Sequence, residues 1–65
     1  MGYLKYIYKS DLLKLVIEED IVGYYLIVYD DPKSEKSSED YLVDSIEEAF
    51  QEAKDKFGIS RSQWR

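Results

Sequence analysis

Residues 44–58 (DSIEEAFQEAKDKFG) constrain the fold of this chain more than any other stretch. Ile46, Ala49, Phe50, Ala53 and Phe57 recur at spacings of three and four, which places them on one apolar stripe of a helix. Ser45 followed by Glu48 has the pattern of a capping box, in which hydroxyl and carboxylate each accept from the other residue's backbone amide. Glu47 and Glu48 sit at the positive end of the helix dipole, and Lys54 and Lys56 at the negative end. Glu52 and Lys56 form an i,i+4 pair in the favourable order. Gly58 is suited to the left-handed position that ends a helix, and Ile59 would then touch Ala53. A helix of about 12 residues, roughly 18 Å long, is predicted at 45–57. An amphipathic helix of this length needs an apolar partner, and the rest of the chain has to supply it.

That partner reads as a sheet. Tyr3 to Tyr8 (YLKYIY) is rich in Tyr and Ile, with Tyr3, Lys5 and Ile7 on one face and Leu4, Tyr6 and Tyr8 on the other. Lys9-Ser10-Asp11 fits a tight reversal. Leu12 to Glu18 (LLKLVIE) also fits a helix, but Val16 and Ile17 are β-branched and the run is short, so a strand is preferred. It would carry Leu13, Leu15 and Ile17 on one side, with Leu12 and Val16 on the other. Glu19 and Asp20 are expected to form the turn into Ile21 to Tyr29 (IVGYYLIVY), the strongest strand signal in the chain. Gly23 inside it marks a bulge or bend. From Tyr24 to Tyr29 both faces are apolar, as in a central strand covered twice. Asp30 to Glu39 (DDPKSEKSSE) is a loop, Asp40 to Val43 a short fourth strand, and Ser60 with Gln63 a further capped turn. Trp64 is expected to fold back as a core plug. The predicted strands lie near 3–9, 11–19, 22–30 and 39–43. The fold class is α+β: an antiparallel meander of three to four strands with one C-terminal amphipathic helix packed on one face, in a single small domain spanning 1–65.

Composition bounds what such a domain does. Sixty-five residues give a thin core, since a chain this size buries only about 60% of the surface its unfolded form exposes. The chain has no Cys and no His, which removes disulfides, thiolate metal sites, the thiol nucleophile and the commonest general base. The acidic clusters Glu18-Glu19-Asp20, Asp30-Asp31 and Glu39-Asp40 match no calcium-loop spacing, and the three glycines form no phosphate-binding loop. The expectation is a protein that is not an enzyme and holds no cofactor or metal. The N-terminal stretch lacks the apolar core of a signal peptide, and Tyr6 occupies the position where a myristoylation signal needs Ser or Thr. No run approaches the roughly 18 apolar residues of a membrane span. A cytoplasmic location without membrane attachment is expected.

The net charge of −5 is unevenly distributed: residues 1–17 sum to +2, 18–52 to −10 and 53–65 to +3. An acidic middle between basic ends fits solvated surface, internal attraction or a basic partner. The seven tyrosines raise a second possibility. Tyr25 and Tyr29 beside Lys5 and Lys14 could make a stacking surface for single-stranded nucleic acid, although the acidity of the chain repels phosphate and the strand preference of Tyr explains the same pattern.

The segments YYLIVYDD, DYLVDSIEEAFQEA and FGISRSQW resemble a group of small, mostly bacterial α+β proteins without an assigned function. These share a strand ending in Tyr-Asp, a strand-to-helix step through Asp and Ser, and a closing Gly, Ile or Val, and Trp. The likeness covers residues 24–30 and 40–64, extends more weakly to small immunity-type proteins, and implies a bacterial source and no catalytic residues. The residues themselves point to an interaction module. One helix shields one sheet face, so Tyr3, Ile7, Val16, Tyr25, Ile27 and Tyr29 are expected to form an open surface for a protein partner or for a second copy in a homodimer. Single-stranded nucleic acid on Lys5, Lys14, Tyr25 and Tyr29 is the alternative.

Overall fold

Alternation of side chains along the first three runs favours a sheet. In the structure, a computed structural model that describes residues 4–64, four strands are followed by one helix. They are β1 (Lys5–Lys9), β2 (Lys14–Asp20), β3 (Gly23–Tyr29) and β4 (Glu39–Val43), then α1 (Ile46–Phe57) and a short 3₁₀ turn at Arg61–Gln63. The strands are antiparallel and lie side by side in chain order, so the sheet is a meander. The ambiguous run is therefore a strand from Lys14 onwards, and its centre supplies the core.

Register explains why. Tyr8, Leu15, Val28 and Glu39 share one row across the sheet, and Tyr6, Ile17, Leu26 and Tyr41 the next. On the helix side of the sheet Leu15, Ile17, Leu26 and Val28 are fully buried, and Ala49, Phe50, Ala53 and Ile59 complete one core cluster with them. Ala49 and Ala53 carry no more than a methyl group, which lets the helix approach β3 and β4 closely. Phe50 reaches from the helix towards β1, meeting Tyr6 edge-on at 5.2 Å and Trp64 at 5.7 Å between ring centroids. Trp64 also meets Tyr8 at 6.3 Å. It does plug the core, from the helix side of the sheet.

The helix ends much as its sequence requires. Ser45 Oγ accepts from the Glu48 amide at 3.2 Å, and Gly58 adopts a left-handed φ of 71° with its amide donating to Lys54 at 2.9 Å. The Ile59 amide closes the motif on the Ala53 carbonyl at 3.4 Å. The return half of the expected capping box is missing among the described residues: Glu48 is exposed and makes no bond to the Ser45 amide. At the second cap the reverse half forms, with the Ser60 amide donating to Gln63 Oε1 at 2.8 Å.

Both tight turns fall later than expected. The first reversal centres on Asp11-Leu12, where Ser10 Oγ accepts from the Leu12 and Leu13 amides at 3.3 and 3.2 Å. Leu12 thus leaves the strand and is 82% exposed. The second turn is Ile21-Val22 rather than Glu19-Asp20, because Asp20 pairs with Gly23 and β2 continues through both acids. Ile21 is 85% exposed as a result. Gly23 is required there twice over. Its φ is 151°, and a Cβ would lie 2.5 Å from the backbone carbonyl oxygen of Val43.

Two measurements test this packing. Phe50→Ala removes the ring that joins α1, β1 and Trp64, and should cost about 3–5 kcal/mol. In a domain with so little to spare, that leaves the mutant largely unfolded; near-UV dichroism like the native protein's would place Phe50 outside the core. The second concerns Tyr41, whose hydroxyl donates to Glu39 Oε2 at 2.7 Å. That hydrogen bond, then desolvation, then the charges of Glu39 and Glu52 hold the phenol above its ordinary value near 10. A raised folded value means that folding favours the neutral phenol. The contribution is complete below the ordinary value and fades as pH rises through the raised one. Tyr41→Phe should therefore flatten the alkaline fall in stability, read as the urea midpoint between neutral pH and about pH 10 and above. An identical alkaline profile in the mutant would remove Tyr41 as its source.

Candidate interaction face of the sheet

Every second residue of the four strands points away from the helix. From β1 to β4 the central row is Ile7, Val16, Ile27 and Asp40. On one side lies the row Lys5, Glu18, Tyr25 and Leu42, and on the other Lys9, Lys14 and Tyr29. The structure thus brings Ile7, Val16, Tyr25, Ile27 and Tyr29 together on the face expected to be open, with Lys5 and Lys14 among them. Tyr3, the sixth residue predicted for this surface, lies outside the described residues.

The rows are not equally exposed. Val16 is only 5% exposed although no other element of the described chain lies over the face, because Ile7, Ile27 and the flanking long side chains close over it. It anchors the surface more than it presents one. Ile7 (38%) and Leu42 (54%) are the accessible apolar members, and Tyr25, Ile27 and Tyr29 are half-buried. Leu42, Glu18, Lys9 and Asp40 were missing from the predicted set. The alternation of the fourth strand signals two of them: in Asp40-Tyr41-Leu42-Val43, Asp40 and Leu42 share a face.

Electrostatics divide the face. Lys5 Nζ lies 3.4 Å from Glu18 Oε1, with both side chains about half exposed, so the pair is worth roughly 0–1 kcal/mol and positions the side chains more than it stabilises them. Lys14 Nζ sits 4.3 Å from the centre of the Tyr29 ring. The remaining cation, Lys9, is exposed on β1, and the remaining acids, Asp20 and Asp40, are exposed at the turn end of β2 and on β4. The β1 edge of the face is therefore basic and the β4 edge acidic, with Glu18 and Asp20 between them on β2.

The two acidic clusters that lie in strands are split by the same alternation, while Asp30-Asp31 falls in the loop after β3. Glu18 points to the open face and Glu19 to the other, where its Oε1 accepts from the Leu4 amide at 3.1 Å. Glu39 and Asp40 diverge likewise. Among the described residues, no group of three or more acids or other ligating side chains is placed to hold a metal ion, and no helix is long and apolar enough to cross a membrane. A groove of about 630 Å³ runs beside β1, between Ile7–Asp11 and the segment Ser62–Trp64. The Trp64 indole N–H is buried next to it without a hydrogen-bond partner among the described residues. Compared with known proteins, the chain matches no family model, no curated protein and no solved structure.

Proposed function

We propose that this chain is a non-enzymatic protein-interaction module that docks a protein partner through the open sheet face. The observation that supports this reading is the one-sided cover: α1, Ile59 and Trp64 all pack on the opposite face, while among the described residues no other element lies over Ile7, Tyr25, Ile27 and Leu42, and Tyr29 meets only the Lys14 side chain. A second copy is the partner whose chemistry matches best. A two-fold axis parallel to the strands lays β1 of one copy over β4 of the other. Lys5 and Lys9 then approach Asp40, and the apolar rows meet at the centre.

Size sets the strength of such a contact. Four strands about 4.8 Å apart and up to 7 residues long make a face of roughly 400 Å². Two of them bury about 800 Å², below the roughly 1,200 Å² of a standard stable interface. The association is weak and belongs to the transient class.

Binding of single-stranded nucleic acid fits the same residues less well. Lys5 is partnered by Glu18, the Tyr29 ring is already covered by Lys14, and Glu18 and Asp40 add negative charge to the surface.

Sedimentation equilibrium at hundreds of micromolar tests the proposal. The native chain should show a reversible dimer that Ile27→Glu abolishes, with thermal unfolding confirming that the mutant is folded. Leu42→Glu, at a more exposed position, should weaken the dimer without touching the fold. A native chain that stays monomeric at that concentration removes the second copy as the occupant. An Ile27→Glu chain that unfolds outright would show that Ile27 belongs to the core.

A further inference from the structure

The two outer strands carry a second recognition surface, made of backbone. In an antiparallel ladder, alternate residues turn both N–H and C=O to the same neighbour. Ser10 bonds Leu13, and the Glu19 amide donates to Leu4, so the even-numbered residues of β1 face β2. Lys5, Ile7 and Lys9 therefore turn their amides and carbonyls to the free edge. Across the sheet, Asp20 and Gly23 close the turn, which directs Tyr24, Leu26 and Val28 to Val43, Tyr41 and Glu39. Asp40 and Leu42 are left facing outwards from β4. Each edge strand is five residues long.

We infer that the β4 edge of one copy pairs, antiparallel, with the β1 edge of another, extending the sheet from molecule to molecule. Of the registers that engage both free edges, the one that brings unlike charges together sets Asp40 opposite Lys9 and Leu42 opposite Ile7, and Asp44, just past the strand end, falls opposite Lys5. Two pairs of opposite charge flank one apolar pair. On the helix side the same register sets Tyr41 beside Tyr8 and Val43 beside Tyr6, and the groove between β1 and Ser62–Trp64 leaves room there for the incoming strand.

Pairing of like edges is disfavoured. Two β1 strands centred on Ile7 place Lys5 against Lys9 twice, and two β4 strands centred on Leu42 place Asp40 against Asp44 twice. Charged edge residues commonly serve to block strand pairing. Here the two edges carry opposite signs, so they block pairing with themselves and favour pairing with each other. The contact is heterologous and does not close at two copies.

This association is independent of the open face, and amide hydrogen exchange separates the two. As concentration rises from tens of micromolar to millimolar, exchange at Lys5, Ile7, Lys9, Asp40 and Leu42 should slow, and the mean mass should rise past a dimer. Ile27→Glu, which disables the open face and leaves both edges intact, should not prevent either change. In the Ile27→Glu background, which removes the open-face contact that also uses these two charges, Lys9→Glu and Asp40→Lys, both at exposed positions, should each weaken the association roughly tenfold, and the double charge swap should restore it. Exchange at those five amides that does not change with concentration would overturn the inference, as would a double variant no better than the single ones. A closed dimer with unprotected edges would do the same while leaving the open-face reading intact.

Discussion

One helix about 10 Å across cannot cover both faces of a sheet roughly 19 Å wide, and both the core and the surface follow from that inequality. The helix sits on β3 and β4, with its alanines against Leu26 and Val28. The half of the inner face that it cannot reach, over β1 and β2, is closed by large side chains instead. Phe50 extends sideways from the helix to Tyr6, and Ile59 and Trp64 follow after Gly58 has turned the chain back. Arg61 completes the cover, its guanidinium 4.7 Å from the centre of the Phe50 ring. With every large C-terminal group committed to one face, nothing in the described chain is left for the other.

Features settled by local physics were legible in the sequence. The stripe from Ile46 to Phe57, its Ser45 cap and its Gly58 stop each depend on near neighbours in the chain, and they appear as read except for the return bond from Glu48 to the Ser45 amide. The division of faces was equally legible, because Leu15 and Ile17 alternate with Val16 whatever the rest of the chain does. Turn positions were not. Ile21 and Val22 are strong strand formers by composition, yet they form the tip of a hairpin. What decides this is tertiary: Gly23 passes so close to the Val43 carbonyl that no side chain fits, and this fixes the pairing of Asp20 with Gly23. Leu12 is displaced by a local contact instead: the Ser10 hydroxyl accepts from the Leu12 and Leu13 amides and closes the turn.

The candidate face shows the same boundary between local and collective effects. Alternation placed Ile7, Val16, Tyr25, Ile27 and Tyr29 on one side, and they are there. It gave no measure of exposure, which depends on neighbours across strands. Val16, flanked by Ile7 and Ile27, is closed in from both sides, whereas Leu42 on the outermost strand has a neighbour on one side only and stays open. Position across the sheet, more than residue type, decides which apolar side chain a partner could touch.

Position across the sheet also gives the uneven charge of the chain its meaning. In a meander, order in the sequence becomes order in space, so a basic beginning and an acidic middle become a basic edge at β1 and an acidic edge at β4. A topology that returned the fourth strand to lie beside the first would set those charges against each other inside one molecule and cancel them. Here the nearest compensation within the molecule is the Lys5–Glu18 pair, and Lys9 and Asp40 stay three strands apart, roughly 14 Å, beyond the screening length of about 8 Å at physiological salt. Charges too distant to satisfy one another are free to select a neighbour. Of the arrangements available to a second copy, over the face or along the edges, those that bring β4 to β1 bring unlike charges together, and those that bring like strands together do not.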